Sequence, residues 1–552
     1  MTVPSNIKEE NIKALWAKFK EGYTSAQYQE IKKKLEELLS DWQKYKKEIN
    51  SNSFSLDNYT NRLGNKTAIM PGGYLCNFLE RSTSELLGSS KPGTAKSFGV
   101  KLNSNDTYYL NQEDQKAPVE DALKKFEKDI KPLIKKVTAG LGIKEKIDVV
   151  ERSDYSAKQI LRKLAVLDHL GDFLFMYSDE MIDSLYDIFF KEPNTANKLS
   201  NLHKNNAIRD CANQLLDIKK EDNVESILLS YFLWKYANTQ SIVDLDTPNA
   251  ILYGPPGTGK TYAIKNSLDF ICQGDRSRYE FVQFHPSFTY EDFIEGIKPK
   301  GVSKDGNIKF ELVNGIFKEF CIKAKNDPAQ DYYFVVDEIN RANLSAVFGE
   351  ALLCLEKDYR HDPSNSDSTL VKTQYSTLIA EIIKEDSSKK NLAYVLHDNG
   401  DVEFGVPKNL FFIGMMNDVD KSIDAFDLAL RRRFKWIRKD CDYDVIDQNT
   451  NHQSGSQFSN IDDYITNCKN LNHYISNDLG LGKSYEFGHS FFMKISAITN
   501  RKEISSTNME TLFNLHLRPT LKEYLRAIFS ESELDSKLNE ALDKFNPKIK
   551  AQ

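Results

Sequence analysis

The chain has 552 residues, 40% of them hydrophobic and 28% charged, with a formal net charge of -6. At roughly 150 residues per domain, this is a soluble globular composition with room for three or four domains. It excludes a strongly basic nucleic-acid binder, so any nucleic-acid contact has to come from a local patch.

In chain order, Ile12, Leu15, Trp16 and Phe19 predict a first amphipathic helix. Tyr28, Ile31, Leu35, Leu38, Trp42, Tyr45 and Ile49 predict a second. The spacing suits a coiled coil or a helical hairpin packed on its own domain; the break at NSNSFSLDN favours the hairpin. GGYLCNFLERSTSELLG reads as a short amphipathic helix, followed by the loop SSKPGTAKSFGVKLN closing on a strand-like Phe98-Gly99-Val100. Lys91, Lys96 and Lys101 are either phosphate contacts or part of a solvated turn, with the turn favoured. Residues 119–140 and 154–235 read as more helices, and TQSIVDLDTPN as a linker. From there to about residue 440, short apolar strands alternate with helices, the pattern of a parallel sheet. HDPSNSDSTL and EDSSKKN bracket a polar insertion, residues 358–392, expected to be mobile. The remainder is helical.

The N-terminus, MTVPSNIKEENIKALW, has no apolar core of signal-peptide length, and the apolar run 227–234 is too short to span a bilayer. Seven scattered cysteines without a CxxC pair argue against a disulfide framework or a zinc site. A cytoplasmic location and no membrane partner are expected.

Three motifs carry chemistry. In ILYGPPGTGKTYAI, the residues Gly254, Pro255, Pro256, Gly257, Thr258, Gly259, Lys260 and Thr261 fit GxxxxGK[ST], between an apolar run and a helical segment entered at Tyr262. Glycines let backbone N–H groups wrap a phosphate, and the helix N-terminus adds its dipole. Lys260 is expected on the β- and γ-phosphates, and the Thr261 hydroxyl on Mg2+. In YYFVVDEINRANL, Asp337 and Glu338 follow a buried strand, where ligands bind in such sheets. Asp337 suits the outer shell of Mg2+ and Glu338 suits polarising the attacking water, with the phosphate loop expected on a neighbouring strand.

The third is GMMNDVDKSIDAFDLALRRRF, after the apolar Leu410-Phe411-Phe412-Ile413. Asn417 at this strand end is placed to hydrogen-bond the γ-phosphate or the water without adding charge beside two carboxylates. Arg431, Arg432 and Arg433 lie too far along the chain for the same strand end. Their guanidinium forks suit a phosphate in a neighbouring subunit. A basic last helical turn favoured by the helix dipole explains the triplet equally well on its own.

With these motifs placed, residues 245–530 resemble the AAA+ proteins and, within them, the McrB branch. VQFHPSFTYEDFIEGIKP, FVVDEINRANLSAVFGEALLCLE, FGVPKNLFFIGMMNDVDKSIDAFDLALRRRF, FGHSFF and LRPTLKEYL are similar to McrB segments and occur in the same order. The resemblance implies an α/β fold: an AAA+ P-loop module, a parallel sheet with flanking helices plus a helical lid, after a mostly helical α+β N-terminal region. It implies four segments: a recognition domain at 1–150, a helical connector at 151–242, the nucleotide-binding domain at 243–437 and the lid at 438–552. It also implies a ring, a hexamer in the family, that hydrolyses GTP with Mg2+ and works with a separate McrC-like nuclease in DNA restriction and antiviral defence. DNA contact is expected through the N-terminal region, although its 240 residues do not look like the DNA-binding module of the family's founding member. Asn417 is then expected in hydrolysis, Arg432 or Arg433 as a finger acting in trans, and Arg341 facing the neighbour. The family signature MNxxDR reads Met416-Asn417-Asp418-Val419-Asp420-Lys421 here, so Lys421 stands where the family has Arg and leaves ATP open as the substrate.

A MoxR-like or dynein-related ATPase that remodels protein complexes is the alternative. A self-contained nuclease would need a set such as Asp114-x-Lys116 in QEDQK, which has no buried strand around it.

Overall fold

The computed structural model describes residues 9–60, 74–88, 99–102, 107–110, 116–153, 158–190, 199–242, 248–302, 306–365, 368–419, 428–450, 458–499, 501–526 and 528–547. Lys91, Lys96, Asp114, Asp420 and Lys421 fall outside them. The chain divides into two compact units, Met1–Asn238 and Thr239–Gln552.

The first unit is mostly helical. Helices Glu9–Glu21 and Ser25–Ile49 form the predicted pair, and Thr24 starts the second with a capping box to Gln27. The periodic face of the second helix buries Leu35, Leu38, Trp42, Tyr45 and Ile49. Helices Lys158–Asp168, Asp179–Phe190 and Asn201–Leu216 follow. Three short strands, β1 (Val100–Leu102), β2 (Thr107–Leu110) and β3 (Lys116–Pro118), pair in antiparallel order. Lys101 sits in β1, and Lys116 opens β3. One apolar cluster runs from Leu35 to Ile227, across the 150/151 boundary read from the sequence.

The second unit contains β4 (Asn249–Gly254), β5 (Tyr279–Gln283), the hairpin β6 (Glu295–Val302) and β7 (Ile308–Asn314), β8 (Tyr332–Asp337), the short pair β9 (Val395–Leu396) and β10 (Val402–Glu403), β11 (Leu410–Asn417) and β12 (Lys435–Arg438). Five of them form a parallel sheet in the order β12-β4-β11-β8-β5. The near-continuous apolar runs follow from burial on both faces. On one face, helix Lys260–Ile271 packs Ile264 and Leu268 with Leu252, Tyr333, Val335 and Ile413. On the other, Phe317, Phe348 and Leu344 pack with Phe334 and Phe412. A separate helical lid, with helices Ile461–His473, Ser506–Leu512, Arg518–Arg526 and Glu531–Phe545, has its own core around Tyr464, Leu471, Phe492 and Leu538. This is the expected α/β module with a helical lid. Among the described residues, no helix is long and apolar enough to cross a membrane.

Two expectations need correction. The Asp337-Glu338 strand is not next to the phosphate-loop strand: β11, which carries Asn417, lies between them. Nor is the 358–392 insertion simply a polar loop. Its helix Ser376–Glu385 buries Ile379 and Ile383 in a small cluster with Leu312, Leu392 and Val402. At its start, the buried guanidinium of Arg360 donates to the carbonyls of Leu355, Pro407 and Leu410 and to Asn249 Oδ1. That arginine fastens the entry of β4 and β11, which is why the polar segment is anchored.

Candidate functional site

The site forms at the C-terminal ends of β4, β11 and β8. Three apolar strands end in register: Asn417 stands opposite Gly254 across β11 and β4, and Gly414 stands opposite Val336 across β11 and β8. The last residues of the runs therefore emerge on one edge of the sheet.

The phosphate loop turns out of β4 through Gly254, Gly257 and Gly259, all with positive φ (143°, 77° and 70°). Gly254 needs that freedom doubly, because a Cβ there would lie 2.2 Å from the Lys439 carbonyl oxygen at the end of β12. Thr258 Oγ1 donates to the Pro255 carbonyl at 3.0 Å and closes the turn. Lys260 is buried, and its ammonium donates to the carbonyls of Gly254 (3.1 Å) and Pro255 (2.9 Å). Burial lowers its pKa from the usual lysine value to about 8, against the opposing pull of Asp418, Asp337 and Glu338. Thr261 is exposed in the first turn of helix Lys260–Ile271. The Tyr262 side chain is exposed as well.

Asp337 ends β8, and its Oδ1 accepts the N–H of Glu338 at 2.9 Å. Glu338 has φ +52°, a left-handed conformation that costs a non-glycine residue roughly 1–2 kcal/mol. Asn417 Nδ2 donates to Glu338 Oε1 at 3.3 Å, and Arg341 Nε donates to Oε2 at 3.1 Å. The carboxylate is thus held between the middle strand and the turn that follows β8. The resemblance implied that Arg341 faces a neighbour; within the chain its Nε meets Glu338 and its side chain is half exposed.

The arginine triplet separates. Arg433 is 9% exposed and reaches Glu356 Oε1 at 2.9 Å, while Arg432 is 69% exposed and lies 3.5 Å from the same oxygen. The guanidinium of Arg431 covers the Trp436 ring at 5.1 Å. Of the two candidate fingers, only Arg432 projects into solvent. The expectation named Arg432 or Arg433 as the finger; the more exposed Arg432 is the one that stands open to solvent, while Arg433 is enclosed beside Glu356.

The lid reaches the loop through FGHSFF. Gly488 N–H donates to the Pro256 carbonyl at 3.1 Å and Ser490 N–H to the Gly257 carbonyl at 3.0 Å. A Cβ on Gly488 would lie 2.1 Å from the Gly257 carbonyl carbon, so only glycine fits there. His489 Nδ1 accepts the Asp442 N–H at 3.3 Å, and burial lowers its pKa below the usual histidine value. The sequence showed the motif but not this partner, because a backbone clasp leaves no side-chain signature beyond a glycine.

Thr261 and Asp337 supply hard oxygen donors of the kind Mg2+ takes, and one Asp337 oxygen is free of the Glu338 N–H. Among the described residues, no group of three or more His, Cys, Asp or Glu side chains is placed to hold a metal alone. This fits an ion held by one or two protein groups together with substrate phosphates.

Residues 249–434 match the AAA domain family of the dynein-related subfamily, and residues 463–527 match the alpha-helical lid domain of McrB. The chain is 36% identical over 248 residues to the type IV methyl-directed restriction enzyme EcoKMcrB subunit of Escherichia coli K12, covering 44% of this chain and 47% of that protein. It is 26% identical over 208 residues to the type II restriction enzyme BsuMI component YdiS of Bacillus subtilis 168, covering 34% of this chain and 56% of that protein. The chain thus spans about half the length of the curated relatives it matches.

Proposed function

From the premise that this chain is an AAA+ protein of the McrB type, with an AAA domain and an McrB lid, we propose that it is the GTP-hydrolysing motor of a DNA restriction complex. In this reading it assembles as a ring and drives a separate McrC-like nuclease subunit. The observation that carries the nucleotide chemistry is the junction of Gly254, Asn417 and Glu338 on three adjacent strands, with Lys260 beside it.

In this reading, the phosphate loop from Gly254 to Tyr262 binds the triphosphate through its N–H groups, and Lys260 exchanges its carbonyl partners for phosphate oxygens. Thr261 and Asp337 would hold Mg2+, which would supply charge neutralisation on the phosphates. Glu338 orients the attacking water and takes its proton, and Asn417 fixes the carboxylate. Arg432 serves the site of the next subunit. Turnover of GTP and ATP measured side by side tests the substrate: GTP is expected to be preferred. Equal or faster ATP turnover moves weight to the protein-remodelling alternative, which the dynein-related match supports but the McrB lid match does not.

Arg432→Ala is expected to bind nucleotide yet lose at least about tenfold in hydrolysis. Mixing it with Lys260→Ala protein restores activity, since each chain supplies what the other lacks. Co-assembled mixtures that stay inactive overturn the role in trans. Arg433→Ala instead removes the shorter of the two arginine contacts to Glu356, from an enclosed guanidinium, and is expected to lower the unfolding midpoint.

DNA contact is assigned to the N-terminal unit, with Lys91, Lys96 and Lys101 as contributors, and its affinity should fall steeply with salt. The chain alone is expected to hydrolyse nucleotide without nicking DNA. Nicking by the purified chain that survives Lys260→Ala would place a nuclease in the chain itself.

A further inference from the structure

Asp418 belongs to no phosphate-loop, acid-base or finger motif, yet its side chain is only 7% exposed, between the sheet and the lid. Its Oδ2 accepts from Arg438 Nη1 at 2.8 Å and from Ser484 Oγ at 2.9 Å. Its own N–H donates to the Gly254 carbonyl at 3.2 Å. Three elements therefore converge on one residue: the first glycine of the phosphate loop, the end of β12 and the lid turn Lys483–Tyr485. Arg438 is itself fixed, by Asp440 at 2.7 Å and by the Tyr253 ring at 5.6 Å. The hydrogen bonds that Gly488 and Ser490 give the loop are backbone to backbone and carry no charge.

We propose that Asp418 is a positioning residue that latches the lid, through Ser484, to the strand carrying Asn417, and so governs how long a nucleotide stays bound. The inference rests on the nucleotide-hydrolase reading above. Ser484 and Gly488 are separated by three residues, among them the fully buried Phe487, so latch and clasp move as one piece. Opening the lid breaks the Ser484 bond and leaves Asp418 facing Arg438 alone. Because Asp418 directly follows Asn417, the lid's position is felt where Asn417 meets Glu338.

The test is release of a fluorescent GTP analogue with Mg2+ from the full chain, followed by stopped flow. Ser484→Ala removes one bond to a charged acceptor and is expected to speed release about tenfold, with an unchanged unfolding midpoint. Ser484→Thr keeps the hydroxyl and restores slow release. Asp418→Asn keeps an acceptor for Ser484 but loses the charge facing Arg438, so its release rate should fall between those of wild type and Ser484→Ala. Release from Ser484→Ala at the wild-type rate overturns the latch while leaving the nucleotide reading intact. A wild-type chain that holds no nucleoside triphosphate overturns that reading and the latch with it.

Discussion

Lys260→Ala is expected to abolish productive nucleotide binding. Lys260 is the one cationic residue between Gly254 and Tyr262. Its ammonium is buried against two loop carbonyls and faces Asp418, Asp337 and Glu338. A triphosphate brought into that setting without the lysine meets three carboxylates and no loop cation. Truncating one partner of such an enclosed charge pair costs about 3 kcal/mol or more, over a hundredfold in affinity. Titration with a fluorescent nucleotide measures it, and wild-type affinity in the variant removes Lys260 from the site. The lowered pKa adds a pH dependence. Above about pH 8 the free protein loses the ammonium, so binding weakens and takes up a proton. For folding the sign is opposite: the unfolded chain holds the proton up to the ordinary lysine value, so this residue makes stability rise with pH from about 8 upwards.

Glu338→Gln is expected to bind nucleotide normally and hydrolyse it about a hundredfold to a thousandfold more slowly. The amide keeps the size of the side chain and an oxygen for Asn417 or Arg341, so the junction of β11 and β8 keeps its geometry. It loses the basicity needed to take a proton from water. Single-turnover hydrolysis separates the two effects, and turnover at the wild-type rate takes Glu338 out of the mechanism.

Much of this site is legible in the sequence. Apolar runs that stop at Gly254, Asp337 and Asn417 mark strand ends, and in a parallel sheet those ends share an edge. The order of the strands was not legible. Adjacency is set by crossover connections and by how Phe317, Phe348 and Phe412 pack, none of which has a local spacing signature. The arginine triplet shows the same limit. Arg432 and Arg433 are neighbours of one type, and the inner one, Arg433, pairs with Glu356, which is far away in sequence. The 358–392 segment misled because its composition is polar, whereas its order comes from Arg360 gripping carbonyls of other elements. Asp418 was hidden for a related reason: its partners, Arg438 and Ser484, come from distant parts of the chain.

The left-handed backbone of Glu338 bears on how this sequence can change over generations. Glycine adopts that conformation without a Cβ clash and would also remove a negative charge beside Asp337. Selection for heat resistance alone therefore has no reason to keep glutamate at this position. A library screened only for soluble, hardy protein would drift towards inert molecules there, and the persistence of the acidic side chain would record continued demand for turnover.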